Sequence, residues 1–529
     1  LRHNQLVSDR VAVVAAAAMA SADERPTDTH GRPISRVVVV SSLLPIILER
    51  TPEGNWSASW DEKVARPELA VSRYVAVGVR RLKVPSLFIG SPQCFVPRSE
   101  RPAVEVAIAA AGLNVICVYH EPSVAHQFYQ GFCKSALWPV MHNVIDVYNP
   151  ASVEPQVPAS PVPPRRATGE PDEAQAWHAP RSYNPAGAQE VFWPAYCEVN
   201  RSLAAAVVEH YIEDDLIWIH HYHLMLLPAY LLRKLRSANI GVFIHQPFPS
   251  SEIFRCLANR DELLRGLLCA DHIGFHLFEW AKNFLACCRR LLACSFEARR
   301  GGGLAVTYNG RQVSITCSHM GIEPSLLLPK LGTPQVVLGA QKLRAQLAAA
   351  EFVVASVDTL EGLCGVPLKL LSFEAFLREH PQRARKGQKA VFALYGIVPD
   401  ARPDDYHLIR REVLALVGRI NASFPGAVVF EEHSELSFEQ RLVLWRVTDV
   451  LLCSSVREGL NLLPFEYLLA REHFPGGPGA IVVSEFSASA RVLSGGVPCN
   501  PWSIRKVGGA IEQALSLSPA QRAARAAPD

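Results

Sequence analysis

At 529 residues the chain is too long for one ordinary hydrophobic core, so two domains of roughly 150–300 residues are expected. A composition that is 49% hydrophobic and 19% charged excludes wholesale disorder. Fifty-three basic against 50 acidic residues, a net +3, offer no field suited to nucleic acid or an anionic membrane as main partner. The thirteen cysteines form no C-x-x-C pair and sit mostly in apolar runs such as "FLACCRRLLAC", which predicts reduced thiols, a cytoplasmic setting and no cysteine-bound zinc. No apolar run reaches the roughly 18–20 residues that span a bilayer.

Residues 1–34 read as a mobile leader. The chain starts at Leu1, and Met19, opening "MASADERP", is a candidate initiator; an organelle-targeting leader is the alternative, against which Asp9 and "SADE" weigh. From Arg36 strand and helix patterns alternate. "RVVVVSSLLPI", "LNVICVYH", "DDLIWIHHYHLML", "IGVFIHQPF" and "DHIGFH" are runs of the kind found in buried parallel strands. Helical stretches such as "DELLRGLLCA" and "EWAKNFLACCRRLLA" lie between them. Residues 150–187, centred on "EPQVPASPVPPRRATGEP", lack periodicity and predict an extended surface insertion or a disordered loop, not a domain. "LAVTYNGRQVSI" predicts a hairpin turning at Asn309–Gly310. A second alternating series follows: "EFVVASVD", "AVFALYGIV", "GAVVFEEHS", "DVLLCSS" and "GAIVVSEF". Two successive βαβ series predict an α/β protein of two Rossmann-like, doubly wound domains, over 35–345 and 346–515, with a tail at 516–529. Ligands are then expected in a cleft at the carboxyl ends of the strands.

Several strand ends carry chemistry. "WIHHYHLMLLP" holds His220, His221 and His223. On an extended strand only His221 and His223 share a side, and no local acid or cysteine completes a metal set, so a site for substrate hydroxyls is favoured over a metal. His245, after "GVFI", is either a buried structural histidine or a cleft residue; the stiff Pro247–Pro249 turn and its strand-end position favour the cleft. In "SSVREGLNLLPFEYLLAR", Pro464 fits a first helical turn, and Glu466 suits either a ribose diol or the helix dipole. Tyr129 and Trp138 in "FYQGFCKSALWP" suit a sugar pocket or simple packing. In "EFVVASVDTLEGLCGVPLKLL" a strand feeds a helix opened by Pro367 through a loop where phosphate is usually held. Yet from Asp358 to Pro367 there is no Lys or Arg, and there are two acids. No G-x-S-x-G, Walker A or G-x-G-x-x-G motif supports a hydrolase, P-loop or dinucleotide reading.

Together these stretches resemble the trehalose-6-phosphate synthases, glycosyltransferase family 20. "IWIHHYHLMLLP" is similar to the family's H-D-Y-H-L-M, and "GVFIHQPFPSSEIFR", "LLRGLLCADHIGFH", "VREGLNLLPFEY", "SEFSASARVLSG" and "NPWSI" follow in the family's order. "GNWSASWDE" and "YQGFCKSALWP" resemble the plant and algal class II branch more than class I. Class II members usually append a phosphatase-like domain, and none is expected before Asp529. The resemblance implies a GT-B fold with no obligatory metal or other cofactor. It implies transfer of glucose from UDP-glucose to glucose-6-phosphate with retention, the leaving diphosphate taking the acceptor's proton. Catalysis of that kind rests on positioning and electrostatics.

Carried over by motif, His245 matches the active-site histidine beside the donor sugar, and Tyr129, Trp138 and His221 fall in the acceptor pocket. Gly459, Asn461, Leu462 and Glu466 match the donor loop, with Glu466 on the ribose-binding acid. Departures accompany them. Leu43 of "SSLLP" replaces a phosphate-binding Arg, Val79 a Trp, His221 an Asp and Glu458 an Asp. Arg402 corresponds to an acceptor-phosphate Arg only with a shifted alignment. Thr359 and Cys364 stand where the family's V-D-R-x-D-Y-x-K-G places the Arg and Lys that clamp the donor diphosphate. Losing one transition-state donor costs ~10²–10³ in rate, about 2.7–4 kcal/mol, whereas a helix N-terminus returns only about 0.3–2 kcal/mol. The sequence thus predicts weak or absent turnover. One reading is an active synthase that recruits Arg402 or Arg457 to the diphosphate. The second, favoured by the emptied clamp, is a non-catalytic protein that binds sugar phosphate, or a protein partner, and regulates trehalose or carbon metabolism. A misassembled gene is the third.

Overall fold

The computed structural model describes residues 34–61, 75–79, 84–144, 185–298, 303–399 and 402–526. The leader before Ile34 and residues 150–184 of the Pro-rich insertion lie outside these. Residues 185–187, assigned to the insertion by composition, instead open a long helix, α1 (Pro185–His210).

Two compact units divide at His319/Met320. In the first, β1 (Arg36–Leu43), β4 (Ser86–Ser91), β5 (Val115–Cys117), β6 (Asp215–His220), β7 (Asn239–Ile244), β8 (His272–Phe275), β9 (Ser295–Ala298), β10 (Leu304–Tyr308) and β11 (Arg311–Cys317) form one sheet in the order β5-β4-β1-β6-β7-β8-β11-β10-β9. Pairing is parallel through β11; the β10–β11 hairpin and β9 are antiparallel. Asn309 and Gly310 both take positive φ, as a tight hairpin turn requires. A small β2–β3 hairpin (Ile46–Arg50, Trp56–Trp60) stands apart. The central strands are apolar on both faces, Val37 through Val40 each being at most 3% exposed, which is why they read as unbroken β-branched runs. An ion pair between Arg36 and buried Asp215 (2.7 Å) ties the starts of β1 and β6.

The second unit is an all-parallel sheet in the order β14-β13-β12-β15-β16-β17, built from β12 (Phe352–Thr359), β13 (Ala390–Ile397), β14 (Val428–His433), β15 (Val450–Cys453), β16 (Ala480–Ser484) and β17 (Val497–Cys499). Its residues alternate between two cores. Val354, Phe392, Leu394 and Leu452 face the core shared with α2 (Val366–Glu379), α3 (Pro403–Ser423) and α4 (Ile504–Leu515). Val353, Ala355, Val391 and Cys453 face the core shared with the helices Phe438–Val447 and Leu463–His473. The helix Pro334–Gln346, which the 345/346 sequence boundary left with the first domain, contributes Val336 and Leu343 to this second core. Beyond residue 515 the chain ends in another helix, Pro519–Ala526, held by Arg522 donating to the carbonyl of Leu517 and Arg525 to that of Gly495.

All thirteen cysteines are free thiols, and no helix among the described residues is long and apolar enough to cross a membrane.

Candidate functional site

Strand order reverses between β1 and β6 in the first unit and between β12 and β15 in the second. In an open parallel sheet that is where the loops diverge and leave room for a ligand.

In the first unit the carboxyl ends of β6, β7 and β8 deliver His220, His245 and His276. His245 is buried, and both its nitrogens are engaged: Nε2 lies 3.0 Å from His220 Nδ1, and Nδ1 lies 3.1 Å from His276 Nε2. Each neutral ring has one donor and one acceptor nitrogen, so the tautomers are linked: whichever way one of these bonds runs, the other runs the same way. His220 Nε2 is buried without a partner in the protein. Burial holds these imidazoles neutral: His220 and His276 are pushed down to about 3, and His245 falls well below the usual histidine value.

The strand ends at His220, so the alternation expected over "HHYH" does not continue. His221 takes φ 80°, ψ 166°, a conformation normally left to glycine, and Tyr222–Leu224 is a 3₁₀ turn. The His221 ring accepts from its neighbour's N–H (Tyr222 N, 2.9 Å) and packs edge-on to His223, the ring centroids 4.7 Å apart. The turn is pinned from α1. Tyr196 Oη donates to the Tyr222 carbonyl (2.8 Å) and accepts from Met225 N–H, and Asn200 Nδ2 donates to the His223 carbonyl. Facing it is a π-helix, Gln127–Leu137, packed on α1 through Gly131, where a Cβ would fall 2.5 Å from the Phe192 ring. Half-buried Tyr129 stacks on His223 at 5.8 Å and 25°. Trp138 is 6% exposed and its ring lies 4.4 Å from His142, so its own setting is closer to core packing. Leu43 closes β1 beside this turn and brings no charge.

In the second unit the loops after β12 and β15 lie together, Val456 N–H donating to the Leu363 carbonyl (2.9 Å). Gly365 takes φ 64° at the helix entrance, and a Cβ there would meet Val456 Cγ2 at 3.0 Å. Thr359 ends β12 and Cys364 follows in a 3₁₀ turn. Burial, followed by the charges of Glu361, Asp358 and Glu458, pushes the Cys364 thiol well up, so it is neither a cation nor a thiolate. The first cation of this stretch is Lys369, two residues beyond the charge-poor loop, and it is buried. Its ammonium bonds Asp358 (2.6 Å) and Ser356 Oγ (3.1 Å), and Ser356 in turn bonds the Asp358 carboxylate. Burial works against that ammonium, but its surroundings, Asp358 foremost, more than offset it and the pKa ends above the usual lysine value.

Glu458 sits opposite. Asn461 Nδ2 donates to its Oε1 (2.9 Å), while Asn461 Oδ1 accepts from Leu463 N–H and so caps the following helix. Glu458 Oε2 is buried without a partner, and burial, partly countered by Lys369, raises this carboxyl to about 7. Gly459 is buried, and Leu462 immediately precedes the helix Leu463–His473. Glu466 lies in the first turn of that helix, as a dipole role requires, and its side chain is also engaged from a neighbouring helix. Its carboxylate accepts from Arg441 Nε and Nη2 (2.9 and 3.0 Å) and from Trp445 Nε1 (2.7 Å), a buried ion pair inside the second core. Arg402 lies in this second unit. It takes φ 60° ahead of α3 and pairs with Asp405 (3.5 Å), whose carboxylate accepts from Gly362 N–H. No group of His, Cys, Asp or Glu among the described residues has the geometry to hold a metal ion.

Two doubly wound units of this topology are those of the GT-B fold. The profile of Glycosyltransferase family 20 matches residues 176–528, and the chain belongs to that family. It is 33% identical over 508 residues to UDP-forming alpha,alpha-trehalose-phosphate synthase 5 of Arabidopsis thaliana, covering 93% of this chain and 53% of the relative. It is 32% identical over 505 residues to synthase 1 of Aspergillus fumigatus, covering 92% of this chain and 85% of that one. The chain thus spans about half the length of the plant relative. A solved structure from E. coli bound with UDP-2-fluoro glucose superposes with a TM-score of 0.69 at 24% identity, over 93% of this chain and 94% of the other. A Burkholderia xenovorans synthase in complex with glucose-6-phosphate gives 0.71 at 22%, over 93% and 95%. At these identities the structures establish the fold.

Proposed function

We propose that this protein binds sugar phosphate as a member of the trehalose-phosphate synthase family, with weak or no transfer of glucose from UDP-glucose to glucose-6-phosphate. The observation that carries the reading is the pairing of Lys369. Thr359 and Cys364 supply no charge to the donor-side loop, and the lysine beneath it is committed to Asp358 and Ser356. An ammonium inside a buried ion pair cannot turn to a diphosphate without leaving Asp358 uncompensated. Arg402, offered as a replacement clamp, is paired with Asp405. Glu458, with its pKa raised to about 7, adds negative charge as pH rises. The first unit supports retained binding: His221, whose Nδ1 accepts from Tyr222 N–H so that Nε2 carries the proton, gathers with His223 and Tyr129 into a group of neutral imidazoles and an aromatic face suited to sugar hydroxyls. A regulatory role in trehalose or carbon metabolism follows if binding outlives turnover.

The test is UDP release from UDP-glucose and glucose-6-phosphate, with the Aspergillus fumigatus relative assayed in parallel. A Thr359→Arg/Cys364→Lys variant is expected to exceed the wild type by at least about tenfold. Wild-type turnover equal to that of the fungal enzyme would overturn the reading.

A further inference from the structure

One charged side chain stands among the rings of this part of the first unit. Lys134 lies on the π-helix, five residues after Tyr129, and Trp138 opens the helix that continues it. The i→i+5 winding brings Tyr129 and Lys134 to one face, and Trp138 adjoins them. The Lys134 Nζ is 5.6 Å from the Tyr129 ring centroid and 5.7 Å from that of Trp138, and Tyr129 is the residue stacked on His223. Lys134 is half-buried.

We propose that Lys134 is the phosphate-contacting cation of this pocket, the group by which it distinguishes a sugar phosphate from the neutral sugar. The inference rests on the reading that the histidine–aromatic pocket accepts a sugar. Three features support it. Leu43, at the end of β1 beside the same turn, carries no charge, so the strand-end position that the family fills with Arg cannot serve. His221 replaces a carboxylate with an imidazole that burial holds neutral, and the Lys134 charge is felt at both His221 and His223, which places it against this wall. The surrounding rings exclude water from one side of the ammonium, which strengthens its attraction for an anion. A lysine on a flexible four-carbon stem contacts phosphate as a point charge and does not need the bidentate geometry of arginine. The alternative is that Lys134 only packs on Tyr129 and Trp138 as a cation over aromatic rings.

Calorimetry with glucose-6-phosphate and with glucose separates these cases, on the wild type, Lys134→Met and Lys134→Arg. The wild type is expected to bind glucose-6-phosphate about tenfold or more tightly than glucose. Lys134→Met should erase that preference while keeping glucose affinity within about twofold, and Lys134→Arg should retain most of it. A Lys134→Met protein that still prefers the phosphate would overturn the inference and leave the pocket reading intact, as would a wild type that binds both sugars equally. A wild type that binds neither would sink the pocket reading and the inference with it. Should Lys134→Met fail to fold, the wild-type preference itself decides. It must weaken between about 50 mM and about 500 mM NaCl, and a flat response overturns the assignment.

Discussion

Replacing Lys369 with Met tests the claim that its charge is spent inside the second unit. The ammonium is 2.6 Å from Asp358, with side-chain exposures of 0% and 6%, and its removal leaves a buried carboxylate bonded to Ser356 without its cation. Breaking one side of such a pair costs about 3–5 kcal/mol, whereas replacing both by neutral groups of similar size is often close to neutral. Lys369→Met alone should therefore lose roughly that much, and Lys369→Met/Asp358→Asn should regain most of it. Because the lysine's pKa is raised, its contribution is fully present below the unfolded value of 10.5 and is lost only above it. A comparison at pH 7 is thus free of its titration. Two units do not license a single unfolding free energy. The readout is hydrogen exchange in peptides covering β12 and α2, where protection should drop in the single variant and recover in the double. Equal loss in both variants would show that the pair is not coupled, and would return Lys369 to the list of cations available to a diphosphate.

Acid should weaken the first unit through its histidines. His220, His223 and His276 stay neutral down to about 3, while unfolded histidines protonate near 6.5, so the unfolded chain binds more protons and stability falls as pH drops below 6.5. Each of the three should cost roughly 1.4 kcal/mol by about pH 5.5, to be checked by urea midpoints for the β6–β8 region between about pH 7.5 and 5.5. Glu458 acts with the opposite sign: its pKa is raised from 4.5 to about 7, so its favourable contribution is present below 4.5 and is lost as pH rises through about 7. Glu458→Gln should therefore stabilise the second unit at about pH 8, by up to about 3 kcal/mol, and leave it nearly unchanged at about pH 4.5. Gly131→Ala places a methyl against the Phe192 ring and should cost about 1–3 kcal/mol, read as a lowered melting temperature, with Tyr129 fluorescence reporting whether the π-helix shifts.

The strands that carry these sites were legible because buried parallel strands need unbroken β-branched runs. "RVVVV", "FVVAS" and "VLLC" admit little else. β4, "SLFIGS", was not read, since its six residues carry Gly90 and two serines that dilute the pattern. The π-helix was invisible for a different reason, because over eleven residues an i→i+5 spacing leaves almost the same apolar pattern as an ordinary helix. The site residues divided along the same line. Strand ends placed His245, Thr359 and Glu458 at the correct edges of their sheets. What each side chain bonds depended on partners far away in sequence. Lys369 lies two residues past the charge-poor loop, Arg441 lies 25 residues before Glu466, and His276 follows a strand whose own pattern says nothing of its partners. Such pairings are made when the elements pack, and no local spacing encodes them.

The three-histidine row couples its two ends. Each neutral ring passes one proton along, so the buried nitrogen at His220 cannot change between donor and acceptor unless both links reverse together. A change of hydrogen bonding at His276 would therefore alter the polarity at the other end of the row without moving a ring.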